Sequence, residues 1–265
     1  MTELPMHERT FPSSHVALVC GGRSPIGLGI AREFAARGAG RIAIAGRNEA
    51  QGRTCVDELA RSLPRARFEF IAADIADDAS RRAMFDQVRE QFGGLDSYVH
   101  CVPPGAVSGA LADAGLDRFR TSLLAGLGGL AGCCQDAAGL LRARGGGSIL
   151  VFASDAGRIA SPRNALVATV QSGIMALVRS LALELARDRI RVNGVSPTYV
   201  RDTPLFDRLM SSESIARRIE KAAQRAGLGL PAPDDIAPMA VFLAGNAASK
   251  ITGQIISING GLSAA

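Results

Sequence analysis

The chain has 265 residues, 47% of them hydrophobic, with 30 glycines and a formal net charge of +5. That length and apolar content suit one α/β domain with a large core and leave no room for a second lobe. Among the 30 basic residues only Lys221 and Lys250 are lysines, and the arginines are scattered among Asp and Glu, so a nucleic-acid-binding face is not expected.

Residues 1–14 are polar, lack periodicity and are expected to form a flexible arm. The domain is expected over 15–265, with strands and helices in alternation. His15–Cys20 is a buried strand, and Ile26, Ile30 and Phe34 give the helical period after it, closed by Gly38. Strand Arg41–Ala45, helix Glu49–Leu63, strand Arg67–Ala72 and helix Ala79–Phe92 follow. Strand Ser97–Val102 then leads to a long helix near Asp117–Arg142, strand Ser148–Ala153 and a helix near Arg163–Ala186. Strand Ile190–Val195, an irregular helical insert at about 203–231, helix Asp234–Leu243 and strand Gln254–Ile258 end the chain. Continuously apolar strands alternating with helices predict a single-domain, Rossmann-like, doubly wound parallel sheet. It should hold about seven strands, carry helices on both faces, and have its crevice beyond the first and fourth strands.

The five cysteines are odd in number and show no C-x-x-C spacing, which predicts reduced thiols and a cytoplasmic protein. His7, His15 and His100 lack ligand spacing, so no metal is expected. Leu123–Cys134, the longest apolar stretch, is too short to span a bilayer, and no signal peptide precedes Cys20.

After the first strand comes Cys20-Gly21-Gly22-Arg23-Ser24-Pro25-Ile26-Gly27. A glycine-rich turn opening a helix lets a phosphate approach the backbone and meet free N–H groups at the helix N-terminus. This stretch resembles the Thr-Gly-x-x-x-Gly-x-Gly pattern of the short-chain dehydrogenase/reductase family. Gly21 and Gly27 match its outer glycines; Cys20 replaces the threonine and Pro25 the middle glycine. Ser24 is expected to cap the helix, with Pro25 at its first position.

The resemblance runs from about Val16 to Gly261 and is carried further by Arg191-Val192-Asn193-Gly194-Val195-Ser196-Pro197, Ile251-Thr252-Gly253-Gln254 and Asn259-Gly260-Gly261. It implies a nucleotide site at Gly21, Arg23, Ser24, Ile26, Gly27, Arg47, Asp74 and Ile75, the last two matching the pair that contacts adenine. Arg23 and Arg47 suit a ribose 2′-phosphate, which favours NADP(H) over NAD(H).

The family's catalytic set is Asn, Ser, Tyr and Lys. Ser154 matches the serine, but Val167 stands at the tyrosine, Gln171 at the lysine and Leu123 at the asparagine, while His100-Cys101-Val102-Pro103 replaces Asn-Asn-Ala-Gly. The resemblance assigns the tyrosine to protonate the reacting oxygen and the lysine to lower its pKa and hold the nicotinamide ribose. Val167 has no exchangeable proton, and Gln171 carries no charge. Asp155, His100, Cys20, Cys101 and Tyr199 are weighed as substitute donors and none is preferred.

Three readings therefore stay open. The first is a non-catalytic subunit of a hetero-oligomeric oxidoreductase, assembled with an active paralogue through the two long helices, where Ala125, Gly126, Gly128, Gly129, Ala131 and Gly132 would permit close packing. The second is a repurposed lyase, isomerase or cyclase in the same crevice. The third is an NADP(H)-dependent oxidoreductase with a non-standard proton donor.

Overall fold

In the computed structural model, which describes residues 10–105 and 109–264, seven parallel strands form one sheet in the order β3-β2-β1-β4-β5-β6-β7. The strands are β1 Val16–Cys20, β2 Arg41–Gly46, β3 Arg67–Ala72, β4 Ser97–His100, β5 Gly147–Phe152, β6 Ile190–Pro197 and β7 Ile255–Ile258. Every residue of β1 is buried, as expected of an apolar strand covered on both faces. The order reverses between β1 and β4, which pair in register Ala17↔Ser97 through Cys20↔His100. That switch point places the crevice at their carboxyl ends, as the alternation predicts.

On one face pack α3 (Asp78–Phe92), α4 (Leu116–Ser122), α5 (Gly129–Ala143) and α6 (Ala165–Leu185). Their core includes Leu18, Tyr98, Leu130, Cys133, Leu141 and Ile174. On the other lie α1 (Pro25–Ala36), α2 (Glu49–Ser62) and α9 (Pro233–Ala244) over Ile30, Phe34, Ile42, Ile44 and Val241. The insert is two regular helices, α7 (Pro204–Met210) and α8 (Glu213–Arg225). Ile219, Ala226 and Leu230 form a small separate core beneath them, with Tyr199 and Phe206 at its edge.

The long helix is interrupted. Between α4 and α5, Leu123–Gly128 is π-helical, a distortion concentrated at functional sites. The glycines there serve the chain's own packing. A Cβ on Gly126 would lie 2.5 Å from the Pro104 carbonyl oxygen, and one on Gly132 would lie 2.6 Å from the Arg81 guanidinium. That guanidinium is buried and bonds Asp136 at 2.7 Å, so Gly132 makes room for an α3–α5 ion pair. Of the glycines in this run, Gly128 alone has nothing within 4 Å of its Cβ position.

Phe119–Ala143 and Ala165–Asp188 are long and apolar enough to cross a membrane by length and composition. They are nevertheless the helices lying along the sheet. The stretch judged too short in the sequence is lengthened by continuous helical backbone on either side.

The expected flexible arm falls partly on residues 1–9, outside the described residues. Its remainder is docked: Thr10 and Phe11 donate backbone N–H bonds to the Arg37 carbonyl. The Phe11 ring also packs 5.3 Å from Phe34 and 4.4 Å from His15.

Candidate nucleotide and active-site crevice

The glycine turn after β1 is closed by its own backbone, Ser24 N donating to Gly21 O at 3.1 Å. Gly21 sits at φ +80°, and a Cβ there would lie 2.9 Å from the Cys101 carbonyl. A Cβ on Gly27 would lie 2.5 Å from Gly22 Cα. Ser24 caps α1: its Oγ accepts from Gly27 N at 3.1 Å and donates to Gly21 O at 2.9 Å, and Pro25 opens the first turn. Proline lacks an N–H, but at the first helical position that donor has no intrahelical partner to lose. Pro25 therefore costs α1 no intrahelical hydrogen bond.

Ile26 beside the turn is half-buried, while Arg23 and Arg47 are exposed and have no ion-pair partner among the described residues. Arg47 follows β2, and Asn48 caps α2 by accepting from Gln51 N at 3.0 Å. Asp74 follows β3 and is exposed; its Oδ1 accepts from Ala76 N at 3.0 Å, while Ile75 is buried. These residues thus leave the carboxyl ends of β1, β2 and β3, on the crevice side of the sheet.

Ser154 leaves the end of β5 half-buried and caps the short 3-10 turn Asp155–Gly157, with Ala156 N 3.4 Å from its Oγ. That turn is pressed onto α6. Ser172 Oγ donates to Gly157 O at 2.8 Å, and a Cβ on Gly157 would lie 2.8 Å from the Gln171 carbonyl carbon. The serine turn and Gln171 are therefore neighbours. Gln171 is 8% exposed, and its Oε1 is buried with no hydrogen-bond partner among the described residues. Val167, one turn earlier, is half-buried, and no Tyr or Lys occurs in α6.

Asp155 is engaged by side chains of β6, β7 and the C-terminal tail. It is 5% exposed and accepts from Ser196 Oγ at 2.7 Å, Ser257 Oγ at 3.1 Å, Asn259 Nδ2 at 2.5 Å and Ser263 Oγ at 3.0 Å. This web joins the serine turn to β6, β7 and the C-terminal tail. Asn193 supports the same corner by donating to Ile251 O at 2.8 Å and accepting from Gln254 N at 3.1 Å. Arg191 is half-buried, its guanidinium capping the last carbonyls of α9 at Ala244 and Gly245. The three stretches that carried the family resemblance are thus one structural unit.

His100 is 3% exposed, and its Nδ1 lies 2.8 Å from the Tyr98 hydroxyl. Cys20, Cys133 and Tyr98 lie in one buried cluster, and Cys20 pairs in register with His100. The Cys20 thiol holds the Cys133 thiol low, at about 5, against the upward push of burial, and His100 and Tyr98 add to the lowering. The Cys133 thiol and burial raise Cys20 well above the usual thiol range. Burial alone pushes Cys101 up. The sequence signal for this cluster was available in β4 and β1, but the contribution of Cys133 from α5 was not readable from spacing.

Residues 21–263 match the family model described as enoyl-(acyl carrier protein) reductase. The chain is 32% identical over 254 residues to cis-4-hydroxycyclohexanecarboxylate dehydrogenase of Sinomonas cyclohexanicum, covering 95% of this chain and 98% of that protein. It is also 32% identical over 256 residues to D-threitol dehydrogenase of Mycolicibacterium smegmatis, covering 93% and 92%. Among solved structures, a short-chain type dehydrogenase/reductase from Mycobacterium ulcerans superposes with a TM-score of 0.87 at 28% identity, covering 96% of this chain and 90% of that one. With this sheet order, glycine turn and C-terminal corner, the chain belongs to the short-chain dehydrogenase/reductase family.

Proposed function

We propose that this chain binds NADP(H) in the β1–β4 crevice and acts as a non-catalytic subunit of a hetero-oligomeric oxidoreductase. The observation that carries the reading is α6 itself. At the positions matching the family's tyrosine and lysine it offers Val167, which holds no exchangeable proton, and Gln171, whose buried acceptor lacks a partner among the described residues.

The residues fit a nicotinamide nucleotide. Gly21, Gly22 and Gly27 bring backbone close, and the α1 N-terminus attracts the pyrophosphate. Arg23 and Arg47 bind the 2′-phosphate, and Gln171 Oε1 accepts a hydrogen bond from a ribose hydroxyl. When bound, the nicotinamide supplies hydride to or from a carbon centre. What the chain fails to supply is the proton for the reacting oxygen, a loss worth ~10²–10⁴ in rate.

Subunit assembly is supported by the outer faces of the long helices. Only 33% and 39% of their apolar windows is buried, and Leu124 and Leu183 are 74% and 80% exposed. An active paralogue carrying Tyr-x-x-x-Lys is the partner such a face would serve.

One observation favours a second reading. The named relatives are dehydrogenases, and Ser154 is retained at the crevice, so an NADP(H)-dependent oxidoreductase with a non-standard donor is the competitor. Titration with NADPH, NADH and adenosine 2′,5′-bisphosphate, followed by solution mass with and without the co-expressed paralogue, separates the two. The subunit reading expects NADPH binding, no turnover alone, and a mixed assembly. Carbonyl reduction by the isolated chain at rates ordinary for an enzyme would overturn it.

A further inference from the structure

A cavity opens at the edge of the sheet, beside β7, the outermost strand. It holds about 420 Å³ and is lined by Arg158, Arg179, Gly253, Gln254 and Ile255. None of the residues assigned to the nucleotide or to the catalytic positions takes part in that lining.

The two arginines come from different elements. Arg158 follows the 3-10 turn Asp155–Gly157, its backbone N–H bonded to Asp155 O at 2.9 Å. Its guanidinium is held against the strand: Nη1 donates to Ser257 Oγ at 3.2 Å, and Nη2 donates to the Ile255 carbonyl. Arg179 lies on the exposed side of α6 and makes no ion pair among the described residues. The helix gives it no acid to pair with, since its neighbours three and four positions away are Met175, Ala176, Ala182 and Leu183. Arginines nearby do find acids: Arg142 pairs with Asp188 at 2.7 Å and Arg144 with Asp96 at 3.1 Å. No Asp or Glu lines this cavity among the described residues.

The rest of the wall suits a polar guest with some carbon. Gly253 sits at φ +72°, where a side chain is disfavoured, so that part is bare backbone. Gln254 Nε2 donates to Thr252 O at 3.2 Å, and a primary amide carries a second N–H. Ile255 adds an apolar patch.

We propose that this cavity binds a small organic dianion, a dicarboxylate or a phosphate ester, with Arg158 and Arg179 holding its oxygens and Ile255 against its carbon skeleton. Two guanidinium groups lining one concave space with no acid between them repel each other, and an oxyanion bonded to both removes that repulsion. The planar fork of each guanidinium matches carboxylate and phosphate oxygens through paired N–H bonds. Arg158 is already fixed by its bonds to β7, so Arg179 is the cation that gives up side-chain freedom on binding. The volume falls in the range of small-molecule sites, roughly 300–1,000 Å³, and exceeds what a bare inorganic anion fills.

The test is calorimetric titration of the full chain with succinate and with glycerol 3-phosphate, at ionic strength held constant with chloride. Binding of at least one at millimolar concentration or tighter is expected. Succinate alone would assign the dicarboxylate, and glycerol 3-phosphate alone the phosphate ester. Arg179→Ala, at an exposed helix position, should weaken that binding about tenfold or more and leave the affinity for adenosine 2′,5′-bisphosphate as in the parent. Arg179→Lys, which keeps the charge and loses the fork, should fall between the two and guards against a folding defect in the alanine variant. The double substitution R23A/R47A should leave binding of the small dianion unchanged. Neither dianion binding, or Arg179→Ala binding as the parent does, overturns the inference. Loss of binding in R23A/R47A also overturns it, because the anion would then sit at the glycine turn after β1.

Discussion

Replacing Gln171 by Leu should stabilise the free protein and weaken its hold on one nucleotide but not on another. Gln171 Oε1 is buried and unpartnered, and leaving such an acceptor unsatisfied costs about 1–3 kcal/mol. Leucine fills a similar volume without the polar atom, so that cost is recovered. For a chain of this size each kcal/mol moves Tm by about 2–4 °C, giving a rise of roughly 2–12 °C. In the complex the amide oxygen accepts a ribose hydroxyl, a bond worth about 0.5–1.5 kcal/mol net, so NADPH affinity should fall about three- to tenfold. Adenosine 2′,5′-bisphosphate stops short of the nicotinamide ribose, and its affinity should not change. Thermal melts of the free chain and fluorescence titrations with both ligands read all three effects. A Tm that stays level or falls would refute the orphaned acceptor. Equal losses for the two ligands would refute its placement at the ribose.

Other changes test the neighbouring parts. The double substitution V167Y/Q171K should confer NADPH-dependent carbonyl reduction, about 10²–10⁴-fold above the parent, measured as NADPH oxidation against a panel of cyclic ketones; no gain would mean that the crevice is closed to carbonyl substrates. Gly27→Ala should abolish NADPH binding while the fold survives by circular dichroism, because its Cβ would lie 2.5 Å from backbone that cannot step aside. Asp155→Ala should destabilise the chain by about 2–4 kcal/mol in urea, since four donors lose a charged acceptor. Burial lowers the His15 pKa from 6.5 to about 4. The unfolded chain then binds the extra proton first, so stability is intact above pH 6.5 and is lost as pH falls toward 4. His15→Asn should flatten that part of the urea-midpoint profile.

The sheet was legible in the sequence because its central strands are apolar runs: Val16–Cys20 and Ile42–Ala45 need no tertiary context to be read. The cap at Ser24-Pro25 was equally local, since helix starts have their own residue chemistry. The long helix expected near Asp117–Arg142 is helical from Leu116 to Ala143, but its π segment was not legible. Leu123–Gly128 is apolar and helical in period, and nothing in periodicity distinguishes a π turn from an α turn. Gly126 and Gly132 read as a packing surface for a partner, yet they meet Pro104 and Arg81, residues distant in sequence. For the same reason Gln171 was recognisable as a replacement, but its unpaired oxygen was not. Burial and the lack of a partner depend on the turn that Ser154 caps, which is brought to α6 by the sheet.

The web around Asp155 has a practical consequence for anyone handling this protein. Ser263 donates to Asp155 and accepts from Asn259, so the tail is wired to the loop that presents Ser154. An affinity tag or fusion joined just beyond that serine would tug on the crevice from behind, and ligand affinities measured on such material would describe the handle as much as the molecule. Placing the handle at the opposite terminus avoids this.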